Sequence, residues 1–229
     1  MRTIISIVFF LFSHLYTFGQ KAKLIYVYDP LCGWCYGFSS VIKQFTTEFA
    51  HDFDVEVISG GMITGDRIGP IGEVAGYISW AYKDVEKATG VKFGENFLQG
   101  TLKTGKAIFT SIPPSVALSV FKTYKPKDAL AFATRLQKAI YYDGIEPENL
   151  AAYGEIAKEF GINPLDFVSK MKEDKYLETT KQEFSMASVL GVDGFPTVFI
   201  EKNGKRMVLT RGYVNYSVLK RSYQESIKD

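Results

Sequence analysis

Between Lys23 and Ile58 the chain changes its hydrophobic rhythm twice. KLIYVY, residues 23–28, is apolar and rich in β-branched and aromatic side chains, the pattern of a buried strand. From about Tyr36 to Ala50 the spacing changes. Phe38, Val41, Ile42, Phe45 and Phe49 fall on one face at helical period. FDVEVI, residues 53–58, then alternates as a half-buried strand does. Strand, helix, strand in this order predicts a βαβ unit whose two strands run parallel. Helical patterns follow at 70–89, 114–124, 127–141, 147–160, 164–173 and 175–190, with no period-2 segment among them. Strand character returns in TVFIE (197–201) and in Arg206–Thr210, separated by a Lys-Asn-Gly-Lys turn, and a last helix is expected over 217–227. The pattern predicts an α/β fold: one domain from residues 20–60 and 191–229, interrupted by a helical insertion domain over 61–190.

One glycine-rich stretch, GGMITGDRIGPIGE from Gly60, invites a phosphate-loop reading. It contains neither GxGxxG nor a G-K-[ST] ending, so turn chemistry is the better account. The formal charge of +2 is nearly balanced and gives no electrostatic case for nucleic acid. Fourteen tyrosines and eighteen phenylalanines predict a well-filled core and an apolar contact surface.

The N-terminus differs from the rest. Arg2 precedes an apolar run from Ile4 to Phe12, and a more polar segment follows, with Thr17 and Gly19 as small residues before a cut at Gly19–Gln20. That is the layout of a signal peptide over 1–19, and the run is too short for a spanning helix. The alternatives are an uncleaved anchor or a buried strand. No later segment reads as a membrane span. The expectation is an exported protein, periplasmic or secreted, where disulfides persist.

Cys32 and Cys35 in DPLCGWCYGF are the only two cysteines. At the start of a helix, such a pair shares one face within disulfide distance. The first cysteine meets unpaired backbone N–H groups and the positive end of the helix dipole, which favour its thiolate; the second lies a turn inward and is shielded. Cys32 is therefore expected to attack and Cys35 to resolve. Zinc would need about four N or S ligands. Past the leader the chain has two cysteines and His51. A structural bridge across so short a loop would restrain the unfolded chain little. A vestigial motif in a binding protein stays open.

Other residues invite weaker readings. Asp29 is a candidate proton relay to Cys35, or a turn residue at the strand end. Trp34 is either part of an apolar lip for unfolded chains or packing against the insertion. Tyr36 reads as packing, and His51 as a helix-end residue. Asn215-Tyr216-Ser217 matches a glycosylation sequon, a motif that also arises by chance. With so little histidine and no activated serine motif, a Ser-His-Asp hydrolase has no support.

A C-x-x-C after such a strand reads as a thioredoxin-like redox site. Together DPLCGWCYGF, the GGM segment, the helical insertion and the late GFPTVFI resemble the DsbA-like branch of the thioredoxin superfamily, and within it FrnE-like protein-disulfide isomerases. The resemblance implies a thioredoxin fold with a helical insertion domain and a cis-proline loop at Pro196, set beside Cys32. The backbone of Phe195 would pair there with an extended substrate, and Gly33 and Trp34 would border it. It implies disulfide exchange with protein substrates and an unidentified redox partner, with no metal or organic cofactor. DsbA carries Pro-His between its cysteines and thioredoxin Gly-Pro; here the pair is Gly33-Trp34, which supplies no charge, so a weaker oxidant than DsbA is expected. Two other classes stay open: an enzyme resembling kappa-class glutathione transferases or their isomerase relatives, in which a serine typically stands at the place of Cys32, and a non-redox, chaperone-like binding protein.

Overall fold

The computed structural model describes residues 21–228, so the expected leader lies outside the described residues. The chain opens with β1 (Ala22–Tyr28), α1 (Gly33–Glu48) and β2 (Phe53–Ser59), and β1 and β2 pair in parallel from Ala22–Phe53 to Tyr28–Ser59. This is the βαβ unit predicted from the alternation. The helix starts earlier than its apolar face implies. Cys32 is its N-cap, with Sγ accepting the amide of Cys35 at 3.2 Å, so the first turn forms around the dithiol itself.

A mostly helical stretch follows. It comprises β3 (Gly69–Pro70), α2 (Ala75–Thr89), β4 (Ile108–Phe109), α3 (Ile112–Tyr124), α4 (Ala129–Tyr141), α5 (Leu150–Glu159), α6 (Pro164–Met171) and α7 (Asp174–Val189). The expectation of no strand here needs a small correction: β3 and β4 form a two-residue antiparallel pair, too short for any alternation to show. A π-helical segment over Asn96–Leu102 was also not foreseen, because Gly94 and Gly100 weaken the helical pattern around it. Asn163 caps α6 just before Pro164, accepting the amides of Leu165 and Asp166.

The chain then returns through β5 (Thr197–Lys202) and β6 (Lys205–Arg211) to α8 (Tyr216–Ser226). Asn203 and Gly204 take φ of 52° and 75°, the left-handed pair that a tight hairpin needs. Strand order is β2-β1-β5-β6, with β5 antiparallel to both neighbours. The period-2 geometry of β1 sorts the core. Leu24, Tyr26 and Tyr28 join the large cluster that includes Phe38 and Phe45 of α1 and Leu219 and Tyr223 of α8, while Ile25 and Val27 meet Phe199 and Ala187 of α7 on the other face.

The outer edge of β2 is closed by the insertion. Val57 and Ser59, two positions apart, turn their peptide groups to the same side. Glu183 of α7 accepts the Ser59 amide at 2.9 Å and pairs with Lys122 of α3 at 2.6 Å, and Lys122 also donates to the Val57 carbonyl. Both side chains are largely buried. Glu183→Ala leaves Lys122 and the Ser59 amide without this partner. It should lower stability by about 2 kcal/mol, less than the full loss for a wholly buried pair, as read from urea unfolding.

Candidate active site

β1 ends at Tyr28, and the next four residues turn sharply into α1. The Cys32 amide donates to the Asp29 carbonyl at 3.1 Å, which closes the turn. Both cysteines are free thiols. They differ in access: Cys32 is 6% exposed and Cys35 0%. Burial pushes the Cys35 thiol well above its usual range, and the neighbouring Cys32 sulfur pushes it further.

Opposite Cys32 lies the loop before β5. The Phe195–Pro196 peptide is cis, and the Cys32 thiol donates to the Phe195 carbonyl at 3.6 Å. Pro196 is buried and its carbonyl accepts the Gly212 amide at 2.7 Å, which holds the loop to the end of β6. The Phe195 ring is seated on Gly60, where a Cβ would stand 2.0 Å from Phe195 Cε1. This close approach, together with a φ of 71° at Gly61, accounts for the glycine pair at the end of β2.

Asp29 is wholly buried. Oδ1 accepts the Leu31 amide at 2.8 Å and the Ser111 hydroxyl at 2.9 Å, and Oδ2 accepts the Met62 amide at 2.7 Å. Gln137 Nε2 donates to the Asp29 carbonyl at 3.2 Å, and the Tyr141 hydroxyl donates to the carbonyl of Leu31. Sequence reading missed Ser111, Gln137 and Tyr141. The available signal was a glutamine on the apolar face of a predicted helix. Desolvation raises the Asp29 carboxyl above the usual range, although its hydrogen bonds work in the opposite sense.

Gly33 and Trp34 border an apolar groove of about 280 Å³ that also touches Cys32, Met62, Tyr77 and Phe93. Trp34 is half-buried, its ring 5.7 Å from that of Tyr213. Tyr36 packs edge-on to Phe93 and stacks on Tyr141, and its hydroxyl donates to the Lys92 carbonyl. Asn215 caps α8 by accepting the Val218 amide, and His51 is exposed after α1. The structure thus brings Gly33, Trp34 and Phe195 to Cys32, and Asp29 under the same turn. Among the described residues no group of three or more His, Cys, Asp or Glu side chains is placed to hold a metal ion.

Residues 115–224 match the family described as the DSBA-like thioredoxin domain. That match and the solved neighbours support the DsbA-like branch of the thioredoxin superfamily. A crystal structure of a candidate protein disulfide isomerase from Nitrosomonas europaea superposes on this chain with TM-score 0.80 at 25% identity, covering 91% of this chain and 98% of that one. The cytosolic disulfide reductase DsbM from Pseudomonas aeruginosa does so with TM-score 0.75 at 26% identity, over 90% and 98% of the two chains. The same reductase, solved with GSH, gives TM-score 0.72 at 26% identity over 90% and 100%. No curated protein matches. Family and neighbours together support thiol–disulfide oxidoreductase activity.

The raised carboxyl of Asp29 makes a signed prediction. A folded-state value above the unfolded one favours folding only while the group is protonated. The contribution is fully present below about pH 4 and is lost as pH rises through the raised value. In urea titrations of the reduced protein from pH 4 to pH 7, Asp29→Asn should therefore gain stability relative to the unsubstituted chain as pH rises.

Proposed function

We propose that this protein exchanges disulfides with protein substrates through Cys32 and Cys35, as FrnE-like protein-disulfide isomerases are expected to do. The reading is carried by one observation: a thiol only slightly exposed caps a helix N-terminus opposite the Phe195 carbonyl, and a second thiol lies wholly buried one turn inward.

In the reducing direction, the Cys32 thiolate attacks one sulfur of a substrate disulfide, and the other sulfur leaves and takes a proton. Cys35 loses its proton and attacks Cys32 Sγ. The Cys32–Cys35 disulfide forms, the substrate's second thiol is released, and two electrons have passed from protein to substrate. The reverse sequence oxidises a substrate dithiol. If another substrate thiol resolves the mixed disulfide, the substrate is isomerised with no net electron transfer. The Phe195 backbone pairs with an extended substrate at the Pro196 loop, and the groove beside Trp34 and Gly33 takes an apolar side chain flanking the reacting cysteine. Asp29 acts through the turn it holds. The sulfur chemistry uses no cofactor, and the protein draws on a redox partner. Export is proposed from the Arg2–Phe12 pattern, with the protein not staying in the membrane after cleavage. Among the described residues no helix is long and apolar enough to cross one. Residues 20–60 with 191–229, and 61–190, are proposed as the two structural units.

A second reading, a chaperone-like binder, has in its favour the exposed Tyr77, which lines the groove, and the exposed Trp80, its ring edge-on to that of Tyr77 at 5.1 Å. A Cys32→Ser, Cys35→Ser protein that keeps full activity toward unfolded substrates would favour it.

With a disulfide-bonded substrate, Cys35→Ser should accumulate a mixed disulfide at Cys32, visible by non-reducing mass spectrometry. Cys32→Ser should lower turnover by about a hundredfold or more, because buried Cys35 has no access to substrate. The uncharged Gly33-Trp34 pair should place the reduction potential, measured in glutathione buffers, below the value of about −120 mV for DsbA. A value at or above it would refute the weaker-oxidant expectation.

A further inference from the structure

Under the first turn of α1 lies a hydroxyl with no hydrogen-bond partner. Tyr26 stands in the middle of β1, between Val57 and Val198 of the flanking strands, and is wholly buried. Its ring is 6.0 Å from that of Phe38, three residues beyond Cys35, and stacks on Tyr28 at 5.6 Å. Its Oη is satisfied by no protein group. Phenylalanine would fill the same space without the uncompensated desolvation of a hydroxyl. No hydrogen bond joins it to Cys35, which is equally buried, but the Tyr26 ring lies against Phe38, three residues along the same helix face as Cys35, and among the neighbouring charges the Cys35 sulfur weighs most on the phenol. A neutral thiol is a poor acceptor, whereas a thiolate is a strong one.

We propose that Tyr26 serves the resolving step, its buried and otherwise unpartnered hydroxyl donating a hydrogen bond to Cys35 Sγ when that sulfur loses its proton. The inference rests on the reading in which Cys35 resolves a mixed disulfide at Cys32. In that step the Cys35 proton goes to the departing thiolate or to solvent, the Cys32–substrate bond breaks and the Cys32–Cys35 bond forms. Tyr26 keeps its own proton throughout. Burial pushes its phenol well above the usual range, so it acts as a donor at every working pH.

The other groups around Cys35 are differently engaged. Cys32 faces it from the helix cap. The carboxylate oxygens of Asp29 accept from Leu31, Met62 and Ser111. Tyr141 of α4 donates to the Leu31 carbonyl. Tyr28 also lacks a partner, and it feels Asp29 and Glu183 more strongly than Cys35.

The test reacts reduced protein with 5,5′-dithiobis(2-nitrobenzoate) in a stopped-flow instrument across pH 5 to 10. Attack by Cys32 releases one thionitrobenzoate, and resolution by Cys35 releases the second. In Tyr26→Phe the first phase should be unchanged. The second should be about tenfold slower near neutral pH, its profile displaced by about one unit to higher pH. Tyr28→Phe should leave both phases unchanged. Placing 3-fluorotyrosine at position 26, a stronger donor of nearly the same shape, should speed the second phase, and this arm needs no phenylalanine variant. A second phase in Tyr26→Phe that superimposes on the unsubstituted one overturns the role, as does an unchanged rate with 3-fluorotyrosine. If the unsubstituted protein gives no second release, the disulfide-exchange reading itself fails, and the outcomes are thereby separated.

Discussion

The carboxylate of Asp29 is the point through which the rest of the site is held. It joins three segments that are far apart in the chain: the turn after β1 through Leu31, the glycine loop after β2 through Met62, and the start of α3 through Ser111. These contacts decide where α1 begins, and so where its N-cap sulfur points. They are made in a buried place, where each hydrogen bond is electrostatically stronger than in water and a missing partner is costly. The carboxyl's upward shift shows that desolvation outweighs these bonds.

The insertion does more than enlarge the protein. Through Gln137 and Tyr141 of α4 it holds the peptide groups of Asp29 and Leu31, and through Lys122 and Glu183 it occupies the open edge of β2. It also supplies most of the wall of the apolar groove at Cys32. Access to the two sulfurs therefore depends on residues more than a hundred positions away in the chain, as well as on the motif that contains them.

Some polar groups of the core have no partner. Among the described residues the Tyr26 and Tyr28 hydroxyls, Ser59 Oγ, Ser115 Oγ and Gln137 Oε1 are buried without a hydrogen-bond partner. Each such group works against stability. A donor left idle in one charge state becomes useful when a neighbouring group ionises.

Much of the fold was legible along the chain because its periods are clean. The 2-residue and 3.6-residue repeats in 23–58 determined a βαβ unit, Asn203-Gly204 determined a hairpin, and Pro164 marked a helix start. The C-x-x-C spacing after a buried strand identified the reactive pair for a local reason: the two positions share a helical turn. The short β3–β4 pair and the π-helical segment escaped because neither is long enough, or regular enough, to impose a period. Gly60 read only as turn chemistry, since the Phe195 ring that requires it comes 135 positions later. The unequal burial of Cys32 and Cys35 was expected, but its source was not visible, nor was the orphan hydroxyl of Tyr26. In sequence Tyr26 is one aromatic among several in a strand. Only packing decided that its hydroxyl would be buried without a partner, because burial and hydrogen-bond pairing belong to the whole assembly of elements and not to any one of them.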